Sequence, residues 1–299
     1  MLGTAFAGVA ENQGHELVPL ARPATRPRPA APPATTYVPR DAFWDPLKGG
    51  LDSCAEGADA VVHLAGASIA GHRWTASRKL LLRQSRVDAT RHLVGALGKL
   101  RHPPRVFVAA SAIGFFGDRG DEELTETSGP GRDFLAGLTR DWEAESLRAA
   151  EFGARVVTLR FGVVLARQGG ALPQMALPFR FGVGGRVGSG KQWMSWIALE
   201  DVVGIIQYAV ATDALSGAVN AVSPHPVRNS EFTAILARVL RRPALFPAPA
   251  FALRLLFGEL AGALLLSSQR VLPAKLSQSA YRFRRPDLRS ALEAVLGPS

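Results

Sequence analysis

Three short apolar runs rich in β-branched residues alternate along this chain with longer amphipathic stretches. The apolar runs cover residues 59–65, 105–111 and 154–162, and the amphipathic stretches cover 75–99 and 134–152. Continuous apolar runs of this length are typical of strands buried on both faces, and each amphipathic stretch is long enough for a crossover helix. The alternation predicts an α/β fold built on a doubly wound parallel sheet.

The strand and helix alternation stops before the last quarter of the chain. From Pro243 onward, prolines and short helical patterns replace it. We therefore expect a main domain over residues 1–222 and a small C-terminal subdomain over 245–297, on the substrate side. Residues 22–36 are rich in proline and predict a surface loop that follows a strand at 16–20.

The charge of the chain favours an anionic small molecule as partner. The formal net charge is +10, and residues 225–299 carry 11 Lys and Arg against 4 Asp and Glu. These basic residues are dispersed, and no nucleic-acid-binding motif accompanies them, so nucleic acid is not expected as a partner. The sequence does not indicate an oligomeric state.

The sequence predicts neither a membrane span nor a metal site. No apolar run approaches the ~18 residues that crossing a bilayer requires. The first residues lack the order of a secretory signal, so we expect a cytoplasmic protein without a membrane partner. Cys54 is the only cysteine, which rules out an intramolecular disulfide and a cysteine-rich metal site.

Several motifs occur in the order found in extended short-chain dehydrogenase/reductases, and the chain resembles that family. Further motifs narrow the resemblance to the atypical nucleoside-diphosphate-sugar epimerase-like branch, which carries a C-terminal extension of unknown function. The resemblance implies a Rossmann sheet for the main domain. The broader motifs are His63-Leu-Ala-Gly-Ala67, residues 85–93, residues 111–117 and residues 159–165, and the narrower ones are Trp142-Glu143, residues 184–192, Trp196-Ile197, Asp201 and residues 223–229.

The resemblance implies a dinucleotide site at the carboxyl ends of the strands. Arg22 follows the expected second strand, where a cation suits the 2′-phosphate of NADP and a carboxylate suits NAD, so NADP is expected over NAD. A solvated loop arginine is the alternative. Arg86 can reach a phosphate or lie exposed on its helix, and Val164 can contact the nicotinamide or belong to the core. The implied cofactor-binding residues are Gly3, Arg22, Leu64, Ala65, Gly66, Arg86 and Val164.

Ser111 matches the family's catalytic Ser/Thr, whose hydroxyl polarises a substrate carbonyl. A serine that closes the turn at a strand end is the alternative. The family's Tyr-x-x-x-Lys pair, which moves the proton during hydride transfer, has no counterpart in residues 133–143. The tyrosines are Tyr37, Tyr208 and Tyr281, and Lys191 is the nearest replacement cation that we can suggest.

Two functions follow from these motifs. One is an NADP-dependent oxidoreductase or isomerase of unknown substrate, in which Ser111 orients a carbonyl. The other is a catalytically silent NADP(H)-binding protein with a regulatory or redox-sensing role. The glycine-rich residues 181–190 are expected to line a pocket or to form a mobile connection, and Asp201 is expected to cap a helix.

The sequence opens directly on helix-forming residues, with Gly3 near the start. Gly3 resembles the last glycine of a GxxGxxG phosphate-binding turn, which normally follows the first and central strand of the sheet. We therefore expect Met1 to be a misassigned start or a truncation. About a dozen upstream residues would then encode that strand and the earlier glycines.

Overall fold

The computed structural model describes residues 1–21, 42–70 and 72–297. At its centre is a four-stranded parallel sheet made of β10 (Gly217–Ala221), β6 (Arg155–Phe161), β4 (Val106–Ala112) and β3 (Ala60–His63), in that order. The two middle strands are almost wholly buried, as their continuous apolar sequences predict. The prediction of an α/β fold on a parallel sheet is confirmed.

A second parallel pair, β1 (Leu20–Ala21) with β2 (Ala42–Phe43), forms a separate ladder. Within the described ranges, β3 is therefore one edge strand of the four-stranded sheet, and β10 is the other. The strand predicted over 16–20 is wrong in extent, because residues 15–19 have no regular structure. Gly14 turns the chain with a φ of +83°, and Pro19 has no N–H to donate to a neighbouring strand.

The predicted helix over 75–99 contains a π-helical turn. The hydroxyl of Thr75 accepts a hydrogen bond from the N–H of Arg78 at 3.2 Å and so caps α2 (Ala76–Arg83). The π-helical turn follows over Gln84–Asp88, and α3 (Ala89–Leu97) continues from it. Such turns are frequent at functional sites.

The predicted helix over 134–152 is α4 (Phe134–Leu147) followed by a short 3-10 turn over Arg148–Phe152. Asp133 caps α4, since its carboxylate accepts a hydrogen bond from the Ala136 N–H at 2.8 Å. The buried face of α4 packs beside the carboxyl end of β4. The other elements are α1 (Leu2–Asn12), β5 (Glu123–Leu124), β7 (Val163–Leu165), α5 (Leu172–Arg180), β8 (Trp193–Met194), β9 (Trp196–Ala198), α6 (Leu199–Ala211), β11 (Val227–Arg228), α7 (Asn229–Leu240), α8 (Ala250–Phe257), β12 (Arg270–Val271), α9 (Ala274–Gln278) and α10 (Leu288–Leu296).

Buried side chains of the main domain hold the last quarter of the chain. Asp201, in the first turn of α6, accepts hydrogen bonds from the N–H groups of Arg284 and Arg285 at 2.7 and 3.0 Å and from the Tyr281 hydroxyl. The expectation that Asp201 caps a helix is wrong, because Ala198 occupies the N-cap position of α6. Asp201 instead fixes the C-terminal segment to the sheet domain.

The glycine-rich residues 181–190 are an ordered connection. The Phe246 N–H donates to the Gly184 carbonyl at 3.1 Å, and the Ala248 N–H donates to the Arg186 carbonyl at 2.9 Å. A Cβ at Gly185 would lie only 2.1 Å from the Phe246 carbonyl oxygen. Glycine is required there because two backbone segments come into direct contact.

Across the described ranges, every helix is too short or too polar to cross a membrane.

Candidate cofactor-binding and active site

The turn after β3 contacts the π-helical turn. The backbone of Gly66 lies against the Arg86 guanidinium. Arg86 Nη2 donates to the Ala67 carbonyl at 2.9 Å, and the Ala67 N–H donates to Ser85 Oγ at 3.2 Å. The π-helical turn thus directs two consecutive side chains at the strand end where a dinucleotide is expected.

Two arginines meet at this strand end. Burial, with the charge of Arg78, lowers the pKa of Arg86 to about 10. Arg78 donates through Nη2 to the Ser68 carbonyl, and its buried Nε has no partner among the described residues. Within the described part of the chain, neither guanidinium forms an ion pair with a carboxylate, although Arg86 also lies 5.3 Å from the Trp142 ring centroid. The positive charge suits a phosphate.

The start of α1 and the strand ends share one hydrophobic cluster. Leu2 and Phe6 of α1 pack against it, as do Leu64 and Val164. Gly3 has open space on the side where a Cβ would stand. No side chain caps α1, so its first-turn amides remain available to an anion.

The other predicted cofactor-binding residues lie in different parts of the structure. Val164 and Leu64 are half-buried against the main cluster, and Ala65 packs against a second cluster that includes the buried residues of α3. Arg22 lies outside the described residues. The structure therefore brings Gly66 together with Arg86, and it places Leu2, beside Gly3, on the same cluster as Leu64 and Val164.

Ser111, at the end of β4, belongs to a buried ionic network. Its hydroxyl donates to Glu143 Oε1 at 2.5 Å. The same carboxylate accepts two hydrogen bonds from Arg160, from Nε and Nη2, each 2.7 Å long. Arg160 stands opposite Ser111 in the β4–β6 register, and all three side chains are buried. Glu143 and Arg160 were missed as a pair, although an arginine within a buried apolar strand is a signal that a buried carboxylate must accompany it.

The Arg160 guanidinium is enclosed by aromatic rings. Its central carbon lies 3.5 Å from the Phe115 ring centroid and 5.1 Å from that of Phe116. Nη1 is buried and has no partner among the described residues. This enclosure holds Glu143 in place, and Glu143 in turn accepts the hydroxyl hydrogen of Ser111.

The helix face beside Ser111 carries no proton donor of the kind that the superfamily uses. Leu135 and Thr139, four residues apart on α4, face Gly114 in the turn that follows β4. Tyr281 donates its hydroxyl hydrogen toward Asp201, and burial with the Asp201 charge raises the pKa of that phenol. Tyr208 packs edge-on against Tyr281. Tyr37 lies outside the described residues.

A cleft of about 500 Å³ opens between the start of α4 and the C-terminal segment. Its carboxylates are already engaged: Asp133 caps α4, Asp118 accepts the Ser268 N–H at 3.1 Å, and Glu259 forms a 2.5 Å ion pair with Lys79. Lys191, the suggested replacement cation, is exposed and does not line the cleft. The lining residues are Trp74, Asp118, Asp133, Phe134, Arg254, Gly258, Glu259, Gly262, Ala263 and Ser267.

His63, at the end of β3, makes stability depend on pH. Burial lowers the pKa of His63 to about 4, and its Nε2 lies 3.0 Å from Thr90 Oγ1. The unfolded state has a histidine pKa of about 6.5, so it binds more protons between pH 6.5 and 4. Stability is therefore complete above pH 6.5 and falls by about 3 kcal/mol as the pH drops to 4.

Chemical denaturation at several pH values measures this slope. We expect His63→Gln to flatten it between pH 6.5 and 4, while His72→Gln, at an exposed position, leaves it unchanged. Equal slopes in the wild type and in His63→Gln would contradict the prediction.

Comparisons with known proteins place this chain in a family. The model of the NAD dependent epimerase/dehydratase family matches residues 1–221, and that of a domain of unknown function, DUF1731, matches residues 248–295. Epimerase family protein YfhF of Bacillus subtilis is 37% identical over 99% of this chain and 94% of its own length. Epimerase family protein SDR39U1 of mouse is 34% identical over 99% of this chain and 96% of its own length.

Solved structures agree with the sequence relatives. The crystal structure of human epimerase family protein SDR39U1 (isoform 2) with NADPH is 32% identical, with a TM-score of 0.87, over 99% of this chain and 96% of that one. The nucleoside-diphosphate sugar epimerase from Corynebacterium glutamicum is 36% identical, with a TM-score of 0.77, over 99% of this chain and 56% of that one. The resemblance to an atypical extended short-chain dehydrogenase/reductase is confirmed. The chain belongs to the NAD dependent epimerase/dehydratase family and carries the C-terminal DUF1731 domain.

Proposed function

We propose that this protein binds NADP(H) as a regulatory or redox-sensing ligand and does not carry out the superfamily's usual tyrosine-dependent hydride transfer. The observation that carries the proposal is the hydrogen bond from Ser111 to Glu143. A hydroxyl that donates to a buried carboxylate held by Arg160 has no hydrogen left to polarise a carbonyl.

The proposal that the protein binds NADP(H) rests on the positive charge of two arginines at the end of β3. Arg86 and Arg78 have no carboxylate partner in the described residues, and the Arg86 guanidinium lies against the backbone of Gly66 at the end of β3. The human relative crystallised with NADPH supports the same cofactor. When bound, NADP(H) supplies a hydride donor or acceptor, and the arginines of this chain would hold its phosphates.

A second candidate is an oxidoreductase or isomerase that acts on an anionic small molecule. The 500 Å³ cleft favours it, because its wall combines the rings of Trp74 and Phe134 with the Arg254 cation. The rings can hold the apolar part of such a ligand and Arg254 its anionic group, while Asp118 and Asp133 in the same lining disfavour a ligand of high negative charge.

Paired titrations with NADPH and NADH test the cofactor. We expect the wild type to bind NADPH more tightly, and Arg22→Ala to weaken NADPH by about 5- to 150-fold, the equivalent of about 1–3 kcal/mol for a charge-assisted bond. NADH binding should not change. Arg28→Ala, in the same proline-rich stretch, is the matched control. Equal wild-type affinities for the two cofactors would refute the preference.

Turnover assays separate the two candidate functions. Loss of general acid/base catalysis costs roughly 10²- to 10⁴-fold in rate, so we expect NADPH to bind without measurable reduction of ordinary carbonyl compounds. Ser111→Ala should leave NADPH affinity unchanged. Robust turnover that Ser111→Ala abolishes would establish the enzyme and overturn the silent protein.

A further inference from the structure

Helix α8 lies on the surface with none of its eight residues buried. Phe251 and Leu255, four residues apart and therefore neighbours on the helix, are 74% and 75% exposed, and Leu256 is 64% exposed. Surface helices of soluble domains normally bury one apolar stripe. Within the described part of the chain, Phe251, Leu255 and Leu256 of α8 stay largely uncovered.

The exposed apolar area extends beyond α8. Residues 245–248 lead into the helix and are hydrogen-bonded to residues 184–188, which continue from the end of α5. Leu245 and Phe181 are 74% and 75% exposed. Together these segments form what we name the α8 surface, represented by Phe181, Leu245, Phe246, Phe251, Leu255 and Leu256.

The segments that form the α8 surface carry only positive charge. Residues 177–191 and 238–258 contain seven Lys and Arg and no Asp or Glu. Among the ion pairs of the described residues, none involves these seven side chains, and all seven are exposed. The members are Arg180, Arg186, Lys191, Arg238, Arg241, Arg242 and Arg254.

We propose that the α8 surface docks on the face of a lipid bilayer that contains anionic lipids. Phenylalanine and leucine side chains insert at the boundary of the headgroups and acyl chains, while arginines pair with lipid phosphates. The expectation of no membrane partner rested on the lack of a spanning segment and of a secretory signal, and a helix that lies on a bilayer needs neither. A second copy of this chain fits less well, because it brings the same positive charge to the contact.

The cleft lies at the edge of this surface. Arg254 of α8 lines it, and Gly258 and Glu259 directly follow the helix. Docking through α8 would therefore turn the mouth of the cleft toward the bilayer. Access of small molecules to the cleft then depends on whether the protein is bound.

Flotation of the full chain with vesicles tests the proposal. We expect binding to phosphatidylcholine vesicles that contain phosphatidylglycerol, weaker binding at high salt, and little binding to phosphatidylcholine alone. Phe251→Ser/Leu255→Ser should reduce the partition coefficient at least about tenfold, because two inserted side chains are lost. Arg241→Glu/Arg242→Glu should reduce it by a similar factor.

Matched variants control for total charge and for general loss of apolar surface. Leu47→Ser removes a leucine that is 71% exposed elsewhere, and Lys99→Glu/Arg101→Glu changes the net charge by the same amount as the arginine pair. Both should bind vesicles like the wild type, and unchanged thermal unfolding of all variants shows that they fold.

Two results would overturn the proposal: no binding to anionic vesicles, or equal losses of vesicle binding in the control and test variants. If vesicle binding is absent, a dimer that Phe251→Ser/Leu255→Ser dissociates would assign the surface to a second copy. Capture of an acidic protein in the absence of vesicle binding would assign it to that partner.

Discussion

Replacing Glu143 by alanine will lower the free energy of unfolding by about 3–5 kcal/mol, because the Arg160 guanidinium then stays buried without a counter-charge. Arg160 is enclosed by Phe115 and Phe116, and its Nη1 already lacks a partner among the described residues. Only 4% of the Arg160 side chain is exposed to water. Urea denaturation followed by far-UV circular dichroism measures the loss.

Two further variants make this prediction specific. Glu151→Ala removes an exposed acid whose ion pair with Arg148 lies in solvent, and it should cost no more than about 1 kcal/mol. Glu143→Leu/Arg160→Leu removes both charges, and it should recover about 2 kcal/mol of the loss. A single Glu143→Ala variant as stable as Glu151→Ala would mean that the network contributes nothing.

Replacing Asp201 by alanine will detach the C-terminal segment at a cost of roughly 2–4 kcal/mol. Its carboxylate holds the N–H groups of Arg284 and Arg285 and the Tyr281 hydroxyl, and Asp201 itself is 1% exposed. Without the carboxylate, the two backbone N–H groups lose their acceptor, and the Tyr281 hydroxyl keeps only the backbone carbonyl of residue 201. Hydrogen exchange should then increase over residues 281–296 before it increases in the central sheet.

Glu200 provides the matched control, since it is the preceding residue and pairs with Arg285 at the surface. Glu200→Ala should change the unfolding free energy by less than about 1 kcal/mol and leave hydrogen exchange over 281–296 as in the wild type. Equal protection of that segment in Asp201→Ala would show that other contacts hold it.

The fold was predictable because the sequence patterns that indicate it lie within short segments of the chain. The apolar runs at 105–111 and 154–162 become β4 and β6 with a shift of one residue at the ends, since continuous apolar strands have few other ways to be buried. The helix starts follow from the capping side chains of Thr75 and Asp133. The strand predicted over 16–20 begins only at Leu20, because so short a run carries little information about where a strand starts.

The position of the candidate site was predictable from the sequence, but the hydrogen bonds between its side chains were not. Ser111 stands at the strand end as expected, yet the direction of its hydroxyl is set by Glu143, 32 residues away, and by Arg160 on the next strand. Asp201 likewise bonds to a segment 83 residues further along the chain. Bonds between distant residues leave no spacing pattern in a sequence.

The contact at Gly185 has a consequence for how this protein can vary. Any side chain there would meet the Phe246 carbonyl, and residues 246–248 would have to move away from the loop. Because α8 begins two residues after Ala248, that movement would also tilt the helix and its arginines. A single added methyl group in the main domain would therefore change how the C-terminal domain presents its outer surface, so the two parts can diverge only together.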